Sequence, residues 1–417
     1  MRIGETIKSI GPAIIVAAVV LGPGSILASS RVGAEWGWLG LPVLAVAIAL
    51  MIGMVALAAR LGVVYKRSLC DELAARLGRG VAIAVGVVLF GIVALYQSSN
   101  NLAVGSGLEP LFASTSGELP SNWAAIQIAI LIAANAGVIA SLYLMRSLYS
   151  AVEKAMKVLI LLMIVAFALN LLAAMFGEAP ERNVAESGQR DWLPLIALIG
   201  TTFSVGGAFF QAYLVREKGW TLRDVKRGAV DSVIGISILG VVSAIIMVTS
   251  LLVFYRVTDA PNLSGMGEIA RQLEPLFGSG AKYVFCGGFM AGALSSFMVN
   301  AAIGGTVLSD ALGKGSRMED RWARHYTAAA LGFGMAVGIV GILSKESTVP
   351  LMLLAQALTV FGIPALGLAL YYLATRKELT GEKKIPTILK VTALVGVSLA
   401  VILALRKGIL LMEKLMG

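Results

Sequence analysis

Apolar residues along the chain come in blocks of about 20 or more, separated by short polar stretches. That is the length an α-helix needs to cross a hydrocarbon core of ~30 Å. The blocks predict helices over 9–33, 37–63, 80–112, 122–144, 153–177, 192–216, 229–255, 282–311, 325–344, 349–375 and 386–405. Too many blocks follow one another for them to be the buried helices of a soluble protein. The longest polar stretches fall near 177–191, 256–281 and 376–386 and are too short to be domains, so the chain reads as one all-α membrane domain.

Most of the 34 Lys and Arg lie on the side of the bilayer that eleven spans assign to the N-terminus, which places that terminus in the cytoplasm. Charged residues make up only 14% of the chain, too few to cover a water-exposed surface. The formal net charge of +10 is then a property of cytoplasmic loops facing a lipid bilayer, not a footprint for nucleic acid. The N-terminal stretch lacks a signal-peptide cleavage pattern, which fits a protein resident in a prokaryotic plasma (inner) membrane. Two cysteines, Cys70 and Cys286, and one histidine, His325, exclude a disulfide scaffold and a Cys/His zinc site. His325 sits in a basic loop, so the chain is not expected to be an enzyme or to hold a cofactor.

Two spans contain residues that a helix interior tolerates poorly. In Leu21-Gly22-Pro23-Gly24-Ser25, proline removes a backbone donor and glycine disfavours helix, so the span either kinks or unwinds. In Gly200-Thr201-Thr202-Phe203-Ser204-Val205-Gly206-Gly207, small and hydroxyl residues form either a packing face or a second interruption. Pro23, Gly24, Gly206 and Gly207 are the expected break residues. The interruptions fall in helices 1 and 6, one in each five-helix half. Such a pairing marks inverted-repeat transporters whose site lies at the midplane, where half-helix C-termini offer partial negative charge to a cation.

These residues resemble the Nramp divalent-metal transporters. Gly11-Pro12 through Arg60-Leu61-Gly62 is similar to the family's first two helices, and Gly22-Pro23-Gly24-Ser25 occupies the place of its Asp-Pro-Gly-Asn motif. The similarity continues through Gly200-Thr201-Thr202, Leu214-Val215, Ser295-Ser296, Gln356 and Pro364. The resemblance implies a LeuT-type fold: repeat one over 9–177, repeat two over 192–375, and an extra helix over 386–405. It also implies transport of a divalent cation as the activity.

The departures from the family pattern are specific. Gly22 and Ser25 stand where the family has its metal-binding Asp and Asn. Ser204-Val205-Gly206 replaces Met-Pro-His, a second family His falls on Gln211, and an acidic pair tied to proton movement falls on Gln97 and Asn100. No Asp or Glu lies in the middle of a predicted span, which argues against a proton relay. What remains for an ion are the hydroxyls of Ser25, Thr201, Thr202 and Ser204, the amides of Gln211 and Gln356, and freed carbonyls near Val19 to Gly22. These are hard oxygen groups, and the smaller residues are expected to widen the pocket. A wide neutral site suits Mg²⁺, which dehydrates reluctantly. The sequence is therefore more similar to Nramp-related magnesium transporters than to manganese and iron importers, with Mn²⁺ as a further substrate. Two other readings stay open: a transporter of a neutral or anionic solute, and a non-transporting sensor or scaffold.

Among the remaining polar residues, Arg31 and Glu35 have the i,i+4 spacing of an ion pair. Asn300 is expected to bond between helices, and Lys157 to snorkel. Trp36, Trp38, Trp192 and Trp220 fall near span ends, where tryptophan anchors the interface.

Overall fold

The computed structural model describes residues 11–113, 118–145, 147–176, 192–256, 280–344 and 348–416. Among these the chain is helical, with no strand. The helices are α1 (Pro12–Val20), α2 (Pro23–Trp36), α3 (Gly40–Val64), α4 (Leu69–Leu77), α5 (Arg79–Ser106), α6 (Glu109–Phe112), α7 (Trp123–Leu144), α8 (Leu148–Phe176), α9 (Leu193–Thr202), α10 (Val205–Glu217), α11 (Val225–Phe254), α12 (Ala281–Ala311), α13 (Arg321–Leu343), α14 (Thr348–Leu358), α15 (Ile363–Ala374) and α16 (Thr387–Met416).

Ten segments among the described residues are long and apolar enough to cross a membrane. One of them, Pro23–Val64, has 42 residues. At 1.5 Å per residue it would span about 63 Å, twice a hydrocarbon core, if it were straight. It turns back through the 3-10 turn Gly37–Leu39, where Gly37 has φ 58°, and so supplies two crossings. This yields the eleven crossings expected from the sequence, in the LeuT-type arrangement.

Helices 1 and 6 are interrupted, but one to three residues earlier than the break residues suggested. The first gap is Leu21–Gly22, and Pro23 and Gly24 already belong to the first turn of α2. The second gap is Phe203–Ser204, and Gly206 and Gly207 lie inside α10. The physical reason at each lies in how the following helix starts. Proline is favoured at the first helical position, where its missing N–H costs nothing. At the second gap, the Ser204 hydroxyl accepts a hydrogen bond from Gly207 N (3.4 Å) and caps α10. A third interruption was not expected: the span predicted as continuous over 349–375 bends through the 3-10 turn Thr359–Gly362 between α14 and α15. Pro364, in the first turn of α15, marks that restart.

The most buried segments are the four half-helices of helices 1 and 6. Every residue of α1 is buried, as is all of α9 but its first residue. Around them, α11 packs on α2 and α3, and α12 packs on α5, α8 and α13. Helices α7, α8 and α16 expose long apolar faces, such as Leu144, Leu161 and Ile402, as a lipid-facing rim requires.

The amphipathic helix α4 was not foreseen. Ser68 caps it by accepting from Asp71 N at 3.2 Å, and Asp71 and Glu72 fill its first turn. Cys70 on this helix and Cys286 on α12 are both buried. Burial pushes the Cys70 thiol well above its usual range. Both thiols are therefore expected to resist maleimide in the folded protein and to react on unfolding, and native labelling of either would contradict this packing.

Trp36 departs from its expected role: it is only 9% exposed and packs edge-on against Trp192 at 4.8 Å. Trp38, at 61% exposed, behaves as an interface residue. Arg31 and Glu35 do pair, at 3.1 Å. Lys157 does not simply snorkel, because its ammonium donates to Glu153 at 2.8 Å.

Candidate functional site

At the first gap, the helix leaves carbonyls without a partner in the next turn. Two of these are satisfied from α12. The Ser295 hydroxyl donates to Ala18 O and the Ser296 hydroxyl to Val19 O, both at 2.9 Å. The approach is close because Gly292 has no side chain: a Cβ there would lie 2.8 Å from Leu21 O. Asn300, one turn beyond Ser296, donates to the Ser296 hydroxyl at 2.8 Å. Asn300 thus bonds within its own helix, not between helices as expected, and its amide faces the gap.

The two gaps meet in one small cavity. It is lined by Val19, Gly22, Ser25, Thr201 and Ser204 from helices 1 and 6, and by Tyr96 of α5 and Ser296 and Asn300 of α12. The C-terminal ends of α1 and α9 bring partial negative charge to this point. The Thr201 hydroxyl is already committed to Ala197 O and Leu198 O. Tyr96 donates to Gly200 O at 3.3 Å, at the end of α9. The Ser25 hydroxyl is buried with no hydrogen-bond partner. A buried hydroxyl left unpaired inside a polar cavity calls for a ligand or a water.

The cavity corrects one expectation. It is not wide: its volume is about 10 Å³, room for about one water molecule. The space left by the missing side chain at Gly22 is filled by Ser296, whose Oγ lies 2.4 Å and Cβ 2.7 Å from where a Cβ on residue 22 would sit.

Other candidate residues sit elsewhere. Gln211 is fully buried on α10, outside the cavity lining, and donates to Asp231 at 3.4 Å. Gln356 lies on α14, but its side chain is outside the described residues. Thr202 is buried without a partner and does not line the cavity. Gln97 and Asn100 belong to a buried chain of amides. Gln97 donates to Phe297 O at 2.6 Å and accepts from Asn100 at 3.0 Å, while Asn135 donates to Asn101 at 2.7 Å. These neutral amides brace α5 against α12 and α7.

Sequence reasoning passed over Tyr96 and gave Asn300 and Ser296 no place at the cavity, because no local break or charge marks them. It also passed over three buried carboxylates near span ends, Glu153, Asp231 and Asp310. Asp231 accepts from Gly11 N and Ala13 N at 2.8 Å each and so clamps the start of α1. Asp310 accepts from Tyr213 at 2.6 Å and Ser68 at 2.7 Å. Glu153 accepts from both Lys218 and Lys157 beside the same start of α1. None of these acids lines the cavity. Among the described residues no group of three His, Cys, Asp or Glu side chains could hold a metal.

Comparison with known proteins places this architecture. Among solved structures, the Eremococcus coleocola manganese transporter bound to an aromatic bis-isothiourea compound superposes with a TM-score of 0.75 at 17% identity, covering 95% of this chain and 85% of that one. Among curated proteins, a divalent metal cation transporter MntH of Xylella fastidiosa is 22% identical over 92% of this chain and 81% of its own length. The MntH of Nostoc is 21% identical over 91% and 86%. The family model described as Natural resistance-associated macrophage protein-like matches residues 13–410, and with nearly the whole length covered, the chain belongs to the Nramp family.

Proposed function

We propose that the protein is a secondary transporter of divalent metal cations whose preferred cargo is Mg²⁺, bound through water and moved without an accompanying proton. The observation that carries this reading is the lining of the midplane cavity. Among the described residues it offers hydroxyls, an amide and backbone carbonyls, and no carboxylate, imidazole or sulfur. A thioether or imidazole would favour a softer transition metal. Mg²⁺ binds oxygen, keeps several of its waters, and does not require the protein to replace them. With room for about one water, the cavity must enlarge before a hydrated ion can enter, and the interrupted helices α1–α2 and α9–α10 are the segments that can move. We take the two five-helix repeats, 9–177 and 192–375, as the units of that motion. Neutral Gln97 and Asn100 give α5 no group that takes up a proton near neutral pH, which supports uncoupled movement.

Flux into proteoliposomes holding a Mg²⁺ dye and a pH dye tests this directly. Saturable Mg²⁺ entry without acidification of the lumen is expected, with Mn²⁺ entering more slowly. Entry of Mn²⁺ in preference to Mg²⁺, or acidification that tracks metal entry, would overturn the cargo or the coupling respectively. A folded preparation that moves neither ion would overturn both.

Ser25→Ala isolates the cavity's own contribution. Its hydroxyl has no partner to lose, so stability should hold. Mg²⁺ uptake at low concentration should fall about tenfold, equivalent to about 1.4 kcal/mol of lost interaction. Unchanged uptake would remove Ser25 from the ion's path.

A further inference from the structure

A second cavity, of about 240 Å³, lies at the end of the helix bundle where α1 begins and shares no lining residue with the midplane site. It opens between the end of α3, the Trp220–Asp224 turn leading into α11, and the start of α16. Its wall is apolar, with Ala56, Val63, Ala229 and Leu389 among its residues, and offers a water cluster little to bond to. Its mouth is different. Arg60 stands there with its guanidinium fixed by two bonds from Nη2, to Glu382 O (2.9 Å) and Lys384 O (2.6 Å). Arg60 Nε is buried and has no hydrogen-bond partner.

The segments on either side carry exposed cations: Arg223 in the turn and Lys226 and Arg227 in the first turn of α11 on one, Lys383 and Lys384 on the other. The one acid in the lining, Asp224, is already engaged. Its carboxylate accepts from Thr221 N at 3.0 Å and the Thr221 hydroxyl at 3.2 Å, and pairs with Arg227 at 3.3 Å. Exposed Glu382, beside Lys383, is outnumbered by the rim's cations. Trp220 completes the rim with an amphipathic ring suited to the headgroup level. An apolar hollow beneath an arginine with a donor to spare, set in a basic rim at the membrane surface, has the chemistry of an anionic phospholipid.

We propose that this cavity seats one anionic phospholipid, its phosphate at the Arg60 guanidinium and the basic rim, and an acyl chain in the hollow between α3, α11 and α16. Basic pockets between membrane helices on the cytoplasmic side recognise acidic headgroups in this way, and the guanidinium fork suits phosphate. The lipid would bridge α16 to α3 and α11.

Native mass spectrometry of the full chain, released from equal mixtures of phosphatidylglycerol and phosphatidylcholine, tests the proposal. The parent should retain one phosphatidylglycerol at least about tenfold over phosphatidylcholine. Arg60→Gln should lose that preference. Ala56→Phe, which fills the hollow and leaves Arg60 in place, should lose the lipid itself, and a parent-like melting temperature certifies its fold. Equal retention of the two lipids by the parent would overturn the headgroup contact. Parent-like retention in Ala56→Phe would overturn the placement of the chain. Displacement of the lipid signal by millimolar inorganic phosphate would identify a free-anion site instead and overturn the proposal.

Discussion

Replacing Gly22 by Asp is expected to bring Mg²⁺ uptake to background, and removing the Ser296 side chain in the same protein is expected to restore transport with an altered ion preference. By charge alone, a carboxylate at residue 22 would create a tighter metal site. The packing forbids it, because the new Cβ would meet Ser296 Oγ at 2.4 Å and Cβ at 2.7 Å. Real Cβ contacts are not that short, and Ser296 has little freedom to retreat while it holds Val19 O and accepts from Asn300. Gly22→Asp should therefore push α1 and α12 apart, with an overpacking cost of about 1–3 kcal/mol. The double variant Gly22→Asp with Ser296→Gly removes both clashing atoms and frees Val19 O as a ligand. It should bind Mn²⁺ at least about tenfold more tightly than the parent, about 1.4 kcal/mol, as read by isothermal titration. A double variant that binds Mn²⁺ no better than the parent would mean that the ion does not rest beside residue 22.

The second large effect is expected at Asp231, which lies outside the midplane cavity. Its carboxylate accepts from Gly11 N and Ala13 N, the otherwise orphaned donors at the start of α1, and from Gln211 on α10. Asp231→Ala strands two buried backbone donors, each at about 1–3 kcal/mol. It thus releases the inner halves of helices 1 and 6 together. Asp231→Asn keeps one acceptor and should lie between. The loss should appear in two measurements. The melting temperature should drop, and a cysteine placed at Ala17, which is fully buried in the parent, should become reactive to maleimide from the side of the N-terminus. The native Cys70 and Cys286 are buried and give a low background. An Ala17→Cys site equally protected with and without Asp231 would show that the start of α1 is held by other contacts, the neighbouring Lys218–Glu153 pair foremost.

The spans, their count and the two principal interruptions were legible in the sequence, because each depends on local chemistry. Twenty apolar residues in a row suit only a lipid or buried setting, and Gly-Pro-Gly in mid-span cannot continue a helix. The family likeness could be read from the same motifs, as could the replacement of metal-binding and acidic side chains by Gly22, Ser25, Ser204, Gln97 and Asn100.

The tertiary structure decided how those positions combine. Gly22 looked like added space and is instead filled by Ser296, from a helix more than 270 residues away in the chain. Gln211 looked like a ligand and instead holds Asp231. Tyr96 carries no local signal, and Asn300 looked like an interhelical tie, yet both face the cavity. Asp231 and Asp310 sit near span ends, where an acid is expected to reach water, but both are buried because caps and hydroxyls from neighbouring helices satisfy them. A residue's type fixes which bonds it can make. The volume left at a site, and the partner that takes each bond, depend on atoms brought together from distant parts of the chain, and only packing specifies those.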